Sequence, residues 1–249
     1  MVVVLTPRDA ATVMLVRDAA TTDAGIEVFM LRRHQQSVFL GGAYVFPGGA
    51  VEEADRQADA EAVCEGRTDR EASEVLGIAG GGLAFWVAAV RECFEEAGVL
   101  LAYEAGSRDV VRLDAPDVAD RFAAHRRAVH QGERRLVDVC QAEGLRLAVD
   151  GMHYVSHWVT PEGAPRRYDT RFFVAAAPPE QEATQDERET VARAWLRPED
   201  ALDRHAAGSL AMMLPTVESV RLLTGYRRTA DLLAAVPAAT TADEAAVPR

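Results

Sequence analysis

The sequence predicts an α/β protein built on a mixed sheet. Three observations carry this. Short apolar runs that read as strands (10–17, 26–33, 152–160, 168–176 and 191–196) are interleaved with segments of helical period. The first two runs are joined by a turn at 21–25 and read as a hairpin, so the sheet holds antiparallel pairs. A chain of 249 residues with 49% hydrophobic content is long enough for one sizeable core, and no internal repeat divides it.

The elements follow in order. Residues 10–17 hold the run Thr12, Val13, Met14, Leu15, Val16, and 26–33 alternate well enough for a second strand. Residues 34–42 form a loop in which His34 reads as a surface residue. Residues 56–76 are charged, alanine-rich and helical in character. Four glycines in 77–82 predict a flexible connection; it lacks the Gly-Lys-Ser/Thr ending of a phosphate loop. A helix follows over 83–97. Residues 114–117 open a further helical stretch, 118–143, broken near Gly132, whose charges read as a solvated face. The strands 152–160 and 168–176 flank a turn at 161–165. An acidic loop, 180–189, precedes the last strand. Pro198 and Pro215 each sit near a helix start. From Thr229 the composition predicts a frayed helix and then a disordered tail. One domain over 8–228 is the simplest division.

Composition narrows the function. The net charge of −12 argues against nucleic acid or anionic membrane as a general partner. All 27 basic residues are arginine, so a phosphate would meet guanidinium groups or backbone amides. Cys64, Cys93 and Cys140 have no paired spacing, which fits a reducing compartment. No signal peptide, membrane-spanning run or C-terminal peroxisomal address is read, and a cytoplasmic location is expected.

The chemistry concentrates in 91–99. On a helix of about 100° per residue, Leu83, Trp86, Val87, Val90, Phe94 and Ala97 share one side. Glu92, Glu95 and Glu96 gather on the other, within an arc of about 100°. Such crowding costs energy unless positive charge sits among the carboxylates. Arg91, one turn before Glu95, can neutralise part of it. A hard divalent cation, Mg2+ or Mn2+, suits the remainder. The plain alternative is a solvated acidic face. Upstream, Phe46-Pro47-Gly48-Gly49-Ala50-Val51-Glu52 reads as a turn whose glycines leave backbone exposed.

Together these stretches resemble the Nudix box: Gly, five residues, Glu, seven residues, Arg-Glu, apolar, any, Glu-Glu, any, Gly, apolar. Gly49 matches the opening glycine. Arg91, Glu92, Cys93, Glu95, Glu96, Gly98 and Val99 match the second half in order. Two departures are visible: Asp55 stands in place of the first Glu, and residues 56–90 replace the usual seven. One branch of the family, which includes a peroxisomal coenzyme A diphosphatase, is similar in carrying a long insert there; here the insert spans 56–83. An additional motif of coenzyme A-selective members is matched by Arg33 and Gly42, while His34 and Val38 depart from it.

The resemblance implies an α/β/α Nudix sandwich with helical insertions. It also implies metal-dependent hydrolysis of the pyrophosphate in a nucleoside diphosphate linked to another group, such as coenzyme A or an acyl ester of it. Glu92, Glu95 and Glu96 would be metal ligands, Arg91 would orient them, and Gly48 and Gly49 would shape the turn beside the substrate. Arg33 and Arg171 are candidates for phosphate contact; for Arg171 a structural bond to Asp169 is equally open. Glu189, directly before the last strand, is the candidate base, with Glu95 next. An ADP-ribose or dinucleotide pyrophosphatase, a nucleoside triphosphate hydrolase and a non-catalytic nucleotide sensor stay open, as does a homodimer.

Overall fold

The computed structural model describes residues 5–20, 25–34, 41–184 and 190–236. The chain begins with strand β1 (Arg8–Asp18), β2 (Ile26–Arg33), β3 (Tyr44–Val45) and β4 (Gly48–Ala50). Short 3-10 turns at Glu53–Arg56 and Ala58–Val63 lead to helix α1 (Asp69–Leu76) and helix α2 (Leu83–Glu92). Then come β5 (Ala102–Glu104), α3 (Pro116–His130), α4 (Leu136–Glu143) and β6 (Leu145–Leu147). The remainder is β7 (Met152–Val159), β8 (Tyr168–Ala176), β9 (Thr190–Leu196), α5 (Pro198–Ala206), α6 (Leu214–Leu222) and α7 (Thr229–Ala235).

β1 is the spine of the main sheet. It runs parallel to β8 along one edge. Its other edge is divided, with β4 on its first half and β2 on its second, both antiparallel. β7 closes the sheet beyond β8, and β3 and β9 both pair with β2. Side chains alternate across a strand, so β1 feeds two cores. Ala11, Val13 and Leu15 face α2, while Met14 and Val16 face α5, α6 and α7. The result is the expected α/β/α sandwich with a mixed sheet.

The insert is part of the core. Ala60, Val63, Cys64, Ala72, Val75 and Leu76 pack into the same cluster as α2. α1 starts with a Thr68–Glu71 capping box and ends at Gly77 in the left-handed conformation. The glycine connection after it is tied down rather than flexible. Gly81 N and Leu83 N donate to the Asp69 carboxylate, and Gly82 N donates to Ser73 Oγ, each at 3.0 Å. A Cβ on Gly82 would overlap the Ala72–Ser73 backbone. Packed structure also continues past 228. Leu232 of α7 is buried in the second core, and Thr229 N donates to Asp18 Oδ1 at 2.6 Å. Among the described residues no helix is long and apolar enough to cross a membrane.

Candidate active site

The predicted helix over 83–97 has two parts. α2 ends at Glu92, and Cys93–Ala97 form one π-helical turn, closed by Gly98 at φ +67°. Such turns are frequent at functional sites. The glutamates are not on an open face: side-chain exposure is 13% for Glu92 and 11% for Glu95, and Glu96 is 6% exposed. The helical period placed them opposite the sheet. It carried no information that β4, α3 and the 181–184 loop would cover that side.

Arg91 organises the cluster. Its Nη1 donates to Glu92 Oε1 at 2.9 Å and to Glu95 Oε1 at 3.0 Å. Its Nε donates to Asp55 Oδ1 at 3.0 Å, and its Nη2 to Asp55 Oδ2 at 3.1 Å and Ala50 O at 2.8 Å. One guanidinium thus joins both halves of the split box across the insert. Asp55 also accepts from Glu52 N at 2.8 Å, fixing the turn after β4. The shorter Asp still forms this fork, so its departure from the family's Glu is accommodated. Three carboxylates around one cation leave a surplus of negative charge. Burial holds Asp55 above the usual carboxylate range against the opposing pull of Arg91. Glu92 is raised as well, by burial first and then by Glu95 beside it, against the pull of Arg91. For Arg91 burial works towards deprotonation, but Glu92, Asp55 and Glu95 outweigh it and keep it charged.

The glycine segment is strand β4 rather than an exposed turn. Nothing larger than glycine fits at 48, and a side chain at 49 would displace the Glu92 carboxylate. A Cβ on Gly48 would overlap Thr12 of β1, and one on Gly49 would overlap the Glu92 carboxylate. Gly48 N donates to Glu96 Oε2 at 3.0 Å. The strand therefore lies directly against two of the three box glutamates.

The donor set suits a hard divalent ion: three carboxylates, buried, with a charge surplus. It is not preassembled. Arg91 holds Glu92 and Glu95, Gly48 holds Glu96, and among the described residues no three acidic, histidine or cysteine side chains gather as a formed ion site.

The remaining candidates are placed as follows. Arg33 ends β2 beside a bulge and pairs its backbone with Ala43 and Gly42; its Nε is buried with no hydrogen-bond partner among the described residues. Arg171 is buried, ion-paired with Asp169 and stacked over Phe85 at 5.2 Å. Phe85 lies seven residues before Glu92, about 10 Å along the helix. The ion pair with Asp169 is the structural bond weighed for Arg171, while the Arg171 Nε is buried with no hydrogen-bond partner among the described residues. Glu189 lies outside the described residues.

Sequence reasoning missed the α3 contribution. Phe122, Arg126 and His130 are spaced i, i+4, i+8 and form one stripe. Phe122 is buried in the core, and His130 Nδ1 lies 3.4 Å from Glu95 Oε2. Arg126 Nε and Nη2 donate to Glu95 O and Glu96 O at 2.8 and 3.0 Å. The stripe was the available signal, hidden by reading the charges as solvated. Beside Arg91 and Asp55, α3 and α4 enclose a cavity of about 100 Å3, lined also by Val87, Val129 and Leu136. Small-ligand sites run to about 300 Å3 and more, so this gap is too small for a nucleotide.

The sequence profile of the NUDT19 Nudix domain matches residues 67–223, well over half of the chain. The chain belongs to this Nudix family. It is 27% identical over 239 residues to a human protein named acyl-coenzyme A diphosphatase NUDT19, covering 84% of this chain and 63% of that protein. The chicken protein of the same name is 28% identical, over 90% of this chain and 70% of its own length. The chain thus spans under two thirds of the human Nudix protein. A crystal structure of a NUDIX hydrolase from Alicyclobacillus acidocaldarius superposes with a TM-score of 0.73 at 26% identity, covering 94% of this chain and 99% of that one.

Proposed function

We propose that this Nudix protein is a divalent-metal-dependent hydrolase that cleaves the pyrophosphate of coenzyme A or its acyl esters. The observation that carries the chemistry is the buried carboxylate surplus around Arg91, set against the backbone of Gly48 and Gly49. Support for the substrate comes from the names of the relatives and from the long insert within the box.

Glu92, Glu95 and Glu96 would hold the metal, Mg2+ or Mn2+. When bound, the ion offsets phosphate charge in the transition state and acidifies the attacking water. Arg91 keeps Glu92 and Glu95 in place and remains charged throughout. Gly48 and Gly49 keep the strand close enough for phosphate oxygens to approach. Arg33, whose buried Nε has no partner among the described residues, is the proposed phosphate contact at the end of β2. Carboxylates on a cation are weak bases, so Glu189 is proposed to take the proton from the attacking water. The water oxygen bonds to one phosphorus, and the bridging oxygen leaves with the other phosphate. Coenzyme A would give 3′,5′-ADP and phosphopantetheine.

The test is a substrate panel with Mg2+ or Mn2+: coenzyme A, acyl esters, ADP-ribose, dinucleotides and nucleoside triphosphates, with product identification. Coenzyme A compounds should be turned over fastest. Faster turnover of ADP-ribose would replace the substrate, and undiminished rates in excess chelator would reject the metal. In the same assay Glu189→Gln should lower kcat about a hundredfold or more, with Glu187→Gln as the near-normal control.

A further inference from the structure

The last four carbonyls of a helix have no partner within it. At the end of the box helix each of them has one. Phe94 O accepts from Gly98 N at 3.1 Å, and Ala97 O accepts from Thr184 N at 2.7 Å. Glu95 O and Glu96 O accept from the Nε and Nη2 of Arg126. The third nitrogen of that guanidinium, Nη1, donates to Thr184 Oγ1 at 2.8 Å. Gln181 binds the neighbouring stretch, accepting from Leu100 N at 2.8 Å and donating to Leu100 O at 3.0 Å and Val111 O at 2.9 Å.

Gly98 makes the arrangement feasible. A Cβ there would stand 2.8 Å from both Arg126 Nη1 and Thr184 Oγ1. The second glycine of the box therefore does more than end the helix at positive φ. Its bare Cα leaves the space in which α3 and the 181–184 loop meet the glutamate turn. A cation at a helix C-terminus is also favoured by the helix dipole.

We infer that Arg126 is a positioning residue for hydrolysis: it clamps the Glu95–Glu96 turn to α3 and to Thr184. The inference rests on the function proposed above. One side chain, supplied from outside the box, sets the position of two box glutamates against α3 and the 181–184 loop. A lysine there could reach one carbonyl but could not span two carbonyls and a hydroxyl.

The experiment uses the full chain, with Arg126→Ala, Arg126→Lys and Thr184→Val. Amide hydrogen exchange without metal reads the clamp itself. Exchange at Gly98 and Thr184 should quicken about tenfold or more in Arg126→Ala and less in Thr184→Val. With coenzyme A and Mg2+, kcat should fall tenfold to a hundredfold in Arg126→Ala, the range expected of a displacement of about an ångström. KM should change little, Arg126→Lys should not restore the rate, and added guanidinium should restore it in part. Unchanged exchange would overturn the clamp. Faster exchange with unchanged kcat would overturn the positioning role. Should Arg126→Ala not fold, Thr184→Val decides, and wild-type exchange and kcat in it would overturn the inference. A wild type inactive on every pyrophosphate would sink the proposed function, while the exchange data would still judge the clamp.

Discussion

At the scale of single residues, Arg91 illustrates how one planar side chain does work that a point charge cannot. Four acceptors from three segments converge on it: Ala50 O, Asp55, Glu92 and Glu95. Lysine at this position keeps the charge but loses the fork, leaving at least one buried acceptor without a donor. Each such loss costs about 1–3 kcal/mol. Arg91→Lys is therefore expected to unfold at lower urea with an unchanged slope, by about 2 kcal/mol or more. A variant within 0.5 kcal/mol of wild type, the scatter of ordinary surface substitutions, would contradict the network. The pattern Arg-Glu-x-x-Glu-Glu placed Arg91 beside Glu95 from sequence, because i, i+4 spacing alone dictates that contact. The link to Asp55 is different. It spans the whole insert, and no local period encodes it; only the family signature suggested that the two halves meet.

Among the elements, the five long strands are legible in the sequence, and the short strands β3 to β6 and the coverings are not. β2 and β8 were read with the bounds the structure gives, since their apolar runs are flanked by clear turns. β4 reads as a turn because Gly-Gly-Ala carries little strand propensity; its pairing with β1 brings Gly48 against Thr12, and Gly49 lies against Glu92. The glycines at 77–82 together read as a flexible link, yet Gly80 and Gly82 differ sharply. Gly82 is pressed against the α1 backbone, while a Cβ on Gly80 would meet nothing within 4 Å. Gly82→Ala should cost about 1–3 kcal/mol, as overpacking does, towards the upper end because backbone is what must move. Gly80→Ala should be neutral or slightly stabilising, by about 0.4–1 kcal/mol, through the unfolded chain. Denaturant titration of the pair checks this. Equal losses would mean that the corner between α1 and α2 is not tight.

For the whole molecule, the sheet separates two cores with unequal duties. The core on one face holds α2, the insert, α3 and α4, and on this side lie the contacts to the glutamates described above. The other holds α5, α6 and α7, and contributes none of the site residues described here. Composition showed that a core of this size was affordable, but not that it would be divided, nor that the insert would complete one half. The division has a consequence that two buried side chains can test. Leu232 on α7 and Phe122 on α3 are 1% and 3% exposed. Leu232→Ala should cost about 2–5 kcal/mol and Phe122→Ala about 3–5 kcal/mol. Their effects on catalysis should part. Phe122 sits one turn before Arg126, so its cavity loosens the helix that grips the glutamate turn. At a temperature where both variants remain folded by circular dichroism, Phe122→Ala should lower kcat several-fold, while Leu232→Ala should leave kcat and KM at wild-type values. Parallel losses of kcat in the two variants would mean that the sheet transmits strain from one layer to the other, and that the second core also sets the geometry of the site.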